Sequence, residues 1–228
     1  FAQMSGTYNI DAAGTGTSNY TSFGSAIADL DSLGVSGAVT FNVASGTYTE
    51  QVNLGAVTGA SSTNTITFQG STTAASILTY TPASSSDNWT VKMTGTDYVT
   101  FDNLTITSGG STYGRLIVYT DTVTNFNLTN CHLIGTTTSG SSGSTSSFRA
   151  GLYYAYPAVA AGNWHISDNT FDSVTYAVYV YGLGYGAGSG ADSVFVEDNT
   201  INANYNGFYV RYAKYQKMHD NVINDIKG

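Results

Sequence analysis

The stretch Ile166-Ser167-Asp168-Asn169-Thr170-Phe171 returns as Val196-Glu197-Asp198-Asn199-Thr200-Ile201 and again as Met218-His219-Asp220-Asn221-Val222-Ile223. Two apolar residues five apart bracket an acidic residue and an asparagine. The same frame occurs upstream at 101–106 and 128–133, with Asn103 or Asn130 in third place and Leu104 or Cys131 in fourth. Successive frames begin 27, 38, 30 and 22 residues apart. Two residues before the first four frames stand Val99, Phe126, Trp164 and Val194, so a period-two alternation runs into each of them. A unit this short, made only of strands, cannot bury its apolar side alone but can when stacked on copies of itself. Neighbouring layers would lie about 4.8 Å apart, so equivalent residues form columns. The Asn or Asp pair falls where the chain must turn, and both residue types tolerate left-handed backbone angles. The frame predicts an all-β fold, a parallel β-helix.

Outward from the frames, residues 38–43, 48–54, 65–69, 77–80 and 89–93 read as strands bounded by Gly and Ser. Residues 151–156, 177–181 and 207–211 give the later layers a second strand. Residues 20–34 differ, because Phe23, Ala26, Ile27 and Leu30 keep the 3.6 period, Thr21 or Ser22 can cap the start, and Gly34 can end the turn. This predicts one amphipathic helix covering the first coil and shielding its edge. The expected organisation is a single domain over 1–228, with the capping helix at 20–34 and coils over 38–228. The last frame lies close to Gly228 with no closing element, which predicts that the chain is the N-terminal part of a longer one. The unequal spacings place insertions at 135–147, 157–162 and 182–191, all low-complexity or glycine-rich.

Composition narrows function. The chain has 228 residues, only 10% of them charged against a usual quarter, with 26 glycines and 18 tyrosines. That composition suits an extracellular surface. A single cysteine, Cys131, rules out an internal disulfide framework. Fifteen acidic against seven basic residues give a net charge of -8, which argues against nucleic acid as a partner. No apolar run approaches the length of a membrane helix.

The three Asp-Asn frames resemble the short repeats of the pectin lyase-like superfamily, which implies a right-handed parallel β-helix. SGTYNI at 5–10, YTSFGSAIADLDSLG at 20–34, VTFNVASGTYTEQVNL at 39–54 and NTITFQG at 64–70 resemble N-terminal modules of large secreted and cell-surface proteins exported by the bacterial type IX secretion system. That resemblance implies a Gram-negative cell-surface or secreted location, and contact with the secretion translocon and its shuttle proteins during export. Gly46, Tyr48 and Glu50 also match the Gly-x-Tyr-x-Glu motif of pectin methylesterases. The later motifs of those enzymes are missing from this sequence, and the expectation is a structural entry turn.

No complete catalytic constellation is visible, so the reading leans away from an enzyme. The lyases and hydrolases of the superfamily need clustered acids with an Arg, Lys or Asp set that the sequence does not supply. Asp168, Asp198 and Asp220 would stack in one column, where like charges repel unless a cation intervenes, making calcium the candidate cofactor; turn-forming carboxylates are the plainer reading. Glu197 and His219 read as an exposed cross-layer pair. His132 and His165 have no acidic or thiol companion at metal-ligand spacing, and Cys131 reads as a small core residue. The most suggestive feature is aromatic: if Val178, Val180, Phe208 and Val210 point inward, alternation sends Tyr179, Tyr181, Tyr209 and Arg211 outward, with Tyr153 one layer before. Tyr185, Tyr205, Tyr212 and Tyr215 would widen that surface. Flat rings suit pyranose faces, and their hydroxyls with Arg211 suit sugar hydroxyls or carboxylates. The leading expectation is therefore a non-catalytic adhesin-like module that binds polysaccharide. Its rivals are a polysaccharide lyase or hydrolase with catalytic coils beyond residue 228, a protein-contact surface, and a structural spacer in a large adhesin.

Overall fold

The structure is a computed structural model and describes residues 2–136, 147–155, 161–181, 191–211, 213 and 215–224. Along the chain come β1 (Met4–Ile10), β2 (Asn19–Tyr20), α1 (Phe23–Leu33), β3 (Val35–Val43), β4 (Gly46–Thr49), β5 (Val52–Leu54), β6 (Ile66–Gly70), β7 (Ser76–Tyr80) and β8 (Val91–Met93). Then follow β9 (Val99–Asp102), β10 (Thr105–Ser108), β11 (Ile117–Tyr119), β12 (Thr124–Thr129), β13 (His132–Ile134) and β14 (Leu152–Ala155). The last six are β15 (Ala161–Ser167), β16 (Thr170–Tyr181), β17 (Ala191–Glu197), β18 (Thr200–Arg211), β19 (Gln216–His219) and β20 (Val222–Asn224). The protein is predominantly β, and all pairings between these strands are parallel.

Two sheets share the strands. One has nine, in the order β19-β17-β15-β12-β9-β6-β3-β1-β2; the other has eleven, with β16 joining the β4-β7-β10-β13 series to the β14-β11-β8-β5 series. The repeat frames are the passages from the first sheet to the second. Phe101, Leu128, Ile166, Val196 and Met218 stand in mutual register, and the third residue of each frame, Asn103, Asn130, Asp168, Asp198 or Asp220, has φ between 52 and 58. Left-handed backbone at one residue per layer is what turns the chain, which explains why that position accepts only Asn or Asp.

The fourth position points inward and solves the turn in two ways. Leu104 and Cys131 fill it with apolar volume. Asn169, Asn199 and Asn221 instead form a ladder: the Asn199 Oδ1 accepts the Asn169 backbone N–H at 2.9 Å, and the Asn221 Oδ1 accepts that of Asn199 at 3.1 Å. Their amides also donate to the carbonyls of Leu128, Ile166 and Val196. The ladder reaches one layer into the apolar half, because Asn169 Oδ1 accepts the Cys131 N–H. Each buried amide is thereby satisfied.

Between the sheets the apolar alternation fills a core in which Phe41, Phe68 and Phe101 stand in register, Phe41 stacked on Phe68 at a centroid spacing of 5.0 Å and Phe101 tilted against Phe68 at 5.2 Å. The helix adds Phe23 against Phe68 and Tyr48. It begins at Phe23, three residues later than expected, because Asn19 and Tyr20 pair with β1 as a short strand. Ser22 is the N-cap, accepting from the Ser25 N–H. The Glu50 carboxylate accepts from the N–H groups of Phe23 and Gly24, both at 2.9 Å, and suits the positive end of the helix. Gly34 closes the helix at φ 67, where a Cβ would meet the Thr58 carbonyl.

Other boundaries also move. The paired parallel strands start before residue 38: β3 begins at Val35, and β1, ahead of the helix, pairs with it. The run 48–54 is two strands, since the chain bends at Glu50 and Gln51. Residues 137–146, 156–160 and 182–190, the bulk of the three insertions, lie outside the described residues.

One left-handed residue is unusual. Tyr98 has φ 55, in the column where the next layers place Asn125, Asn163 and Ser193. Asn takes that conformation at little cost, whereas for a bulky side chain it costs roughly 1–2 kcal/mol.

Candidate functional site

The outward column expected on the eleven-stranded sheet is present. Tyr153, Tyr179 and Tyr209 are in direct register, and Tyr181 faces Arg211 across β16 and β18. Val178 and Val180 are buried beneath them, and Phe208 and Val210 pack on the core, so the alternation that sets the column holds. The rings stack at 5.2 Å between Tyr153 and Tyr179 and at 4.7 Å between Tyr179 and Tyr209, within about 11° of parallel. Tyr181 lies parallel to Tyr209 at 6.2 Å, and Tyr176 sets its edge against Tyr179, Tyr205 and Tyr209.

This geometry corrects one sequence expectation. The rings stand on edge along the column, and those of Tyr153 and Tyr179 are covered on both faces, so these two form no platform. Tyr179 has a tyrosine on each face; Tyr153 has Tyr179 on one and, on the other, the Arg115 guanidinium at 3.4 Å. A sugar ring cannot lie on either of them. The column offers ring edges and phenol groups instead.

The cations of this face were not singled out from the sequence, apart from Arg211. Each sits over an aromatic ring: Lys92 4.3 Å from Trp89, Arg115 on Tyr153, and Arg211 5.6 Å from Tyr181. The Arg115 Nε also donates to the Ser147 carbonyl at 2.9 Å. Burial lowers the affinity of Arg115 for its proton, while Tyr153 and Tyr179 act the other way; a guanidinium stays charged in this range. Three of the chain's seven basic residues thus occupy one face of a protein with net charge -8. Strands β5, β8, β11 and β14, with residues 174–181 and 203–211, contain no Asp or Glu. Of the tyrosines expected to widen the surface, Tyr205 packs on Tyr176 and Tyr215 is exposed, while Tyr185 and Tyr212 lie outside the described residues.

Asp168, Asp198 and Asp220 stand one per layer at the left-handed turn, all exposed. Among the described residues no three His, Cys, Asp or Glu side chains converge as metal ligands. His219 does meet Glu197, as expected, with 2.7 Å from Nε2 to the carboxylate, out of line for a hydrogen bond; its Nδ1 contacts the Asp220 carboxylate, also at 2.7 Å. Cys131 is buried, and burial pushes its thiol up to about 12. Of the methylesterase-like triplet, Glu50 caps the helix and Tyr48 is buried with its hydroxyl donating to the Ile10 carbonyl, so both residues have structural positions.

His132 does have an acidic neighbour. Its Nε2 is hydrogen-bonded to Asp172, whose second oxygen accepts from the Asn202 amide. The two residues are forty apart in sequence, and only the layer register, which sets His132 opposite Thr170 and Asp172 opposite Asn202, brings them together. No nucleophile or third ligand joins them among the described residues, so the pair reads as a cross-layer clamp.

Comparison with protein-family models, with curated proteins and with solved structures gave no match. No helix among the described residues is long and apolar enough to cross a membrane.

Proposed function

We propose that the two parallel sheets are walls of a right-handed parallel β-helix, and that the chain is a secreted or cell-surface, non-catalytic binding module for acidic polysaccharide. The observation that carries this reading is the registered column Tyr153, Tyr179 and Tyr209 with Arg115, Arg211 and Lys92 beside it, with no Asp or Glu in β14 or in residues 174–181 and 203–211. Phenol groups at layer spacing suit the hydroxyls of an extended glycan, and guanidinium groups suit uronate or sulfate. The cations are held on aromatic rings, which limits the ordering entropy of binding. Export by the type IX pathway, with its translocon and shuttle proteins as transient partners, belongs to the same reading and is supported by the low-charge composition and the N-terminal motifs.

The test is binding of the purified chain to polygalacturonate, alginate and uncharged glucans, with the bound glycan recovered and sized. Acidic glycan should bind intact, weaken as salt rises, and remain bound in EDTA. Shortened glycan would establish an enzyme, and absence of binding to every acidic glycan would leave a spacer or protein-contact surface as the better account.

A further inference from the structure

The opposite sheet carries a second concavity of different chemistry. On the outer face of the nine-stranded sheet a groove of about 260 Å³ has Thr100, Asn127 and His165 along its floor and Tyr98, Asn125 and Asn163 along one side. Thr100, Asn127 and His165 are in direct register on β9, β12 and β15, so the floor spans three layers. No Asp, Glu, Lys or Arg lines it.

Its polar groups are held in one sense. Asp97, behind the rim, accepts from the Asn125 amide at 2.8 Å; the Asn125 oxygen accepts from the Asn163 amide; and the Asn127 amide donates to Thr100 Oγ1 at 3.1 Å. The Asp97 carboxylate fixes the direction of the Asn125 and Asn163 amides, and the Asn127 amide is committed to Thr100, which leaves the Oδ1 atoms of Asn127 and Asn163 as acceptors for the groove. His165 is braced by Phe195, stacked at 4.6 Å, and presents its edge. Tyr98 has no aromatic partner among the described residues, unlike the stacked tyrosines of the opposite face, and its backbone is left-handed where the next layers use Asn and Ser. An unfavourable residue kept at the mouth of a preformed polar groove points to a role outside folding.

The geometry points to a site for a neutral hexopyranose, one or two units of an uncharged glycan, with a C–H face against Tyr98 and hydroxyls donating to Asn127 and Asn163. This site is independent of the tyrosine column. It assigns uncharged sugar to one sheet and acidic sugar to the other.

The experiment is a titration of isotope-labelled protein with neutral β-1,4-linked gluco-, manno- and galactohexaose, read from the side-chain amide signals of Asn127 and Asn163. At least one should shift both signals saturably, with an affinity unchanged between 50 and 500 mM NaCl. Tyr98→Asn should weaken that binding at least tenfold while the melting temperature stays the same or rises, since Asn relieves the backbone. Tyr179→Ala with Tyr209→Ala should leave it intact, which separates this site from the acidic-glycan face. The inference is overturned if none of the three sugars shifts the amides, if Tyr98→Asn binds as well as the parent, or if that variant melts lower and so reveals the ring as packing.

Discussion

The two outer faces of this molecule are built on the same layer spacing, yet Tyr98 on one is placed unlike the tyrosine column on the other. On the eleven-stranded sheet Tyr153, Tyr179 and Tyr209 stack on each other and Tyr153 on Arg115, so the rings stiffen the surface and Tyr153 and Tyr179 offer only their edges. On the nine-stranded sheet Tyr98 has no stacked ring among the described residues and borders an uncharged groove. The lesson is that alternation alone says which side chains face outward; the neighbour in the next layer decides whether a ring is a contact surface or a brace.

The most severe way to break the comparison is to remove what both faces share. Asn199→Ala would strip the acceptor from the Asn169 N–H and the donor from the Ile166 carbonyl, leaving buried groups unpaired between the sheets. At about 1–3 kcal/mol for each orphaned group, the loss should reach about 4 kcal/mol and lower the melting temperature by roughly 10 °C. Denaturant unfolding checks this, and both binding signals should fall together.

A narrower break is Tyr179→Ala with Tyr209→Ala, which should lower acidic-glycan affinity about a hundredfold while the neutral-sugar response persists; affinity electrophoresis on both ligand classes separates the two. Tyr179→Phe sharpens the point, because it keeps the stack and deletes one hydroxyl. If ring edges and phenol groups make the contact, affinity should fall about tenfold, in line with one hydrogen bond, at unchanged melting temperature. Unchanged affinity would mean that the column only braces the sheet. The smallest effect concerns Cys131, whose thiol is pushed up to about 12 by burial and therefore stays protonated through pH 9. Iodoacetamide at pH 8.5 should leave the folded protein unlabelled and modify it only in denaturant, as mass spectrometry would show.

Much of the architecture was readable because it rests on one-dimensional rules. The frame positions, the left-handed Asn and Asp turns, the inward valines under the tyrosines and both helix caps follow from periodicity and backbone preference. The N-terminal strand before the helix was missed because Met4–Ile10 places Ser5, Gly6 and Thr7 between its apolar residues, so no alternation marks it until β3 supplies its partner. The stacking of the tyrosines, the His132 and Asp172 pair and the groove below Tyr98 were hidden for another reason. Each depends on which residues share a column, and the insertions make the number of residues per layer irregular, so the diagonal neighbours of His132 cannot be counted from the sequence.

The asparagine ladder carries a consequence for how such a chain changes over time. Asn169 hands its N–H to Asn199, and Asn199 hands its own to Asn221, always in the same direction. Every layer in that half therefore offers the same socket that it fills. A duplicated layer would meet a matching socket above and leave an identical one below, whereas gaining or losing part of a layer would break the hand-over. Length in this half of the protein is thus quantised, and whole turns are the natural unit by which it can grow or shrink.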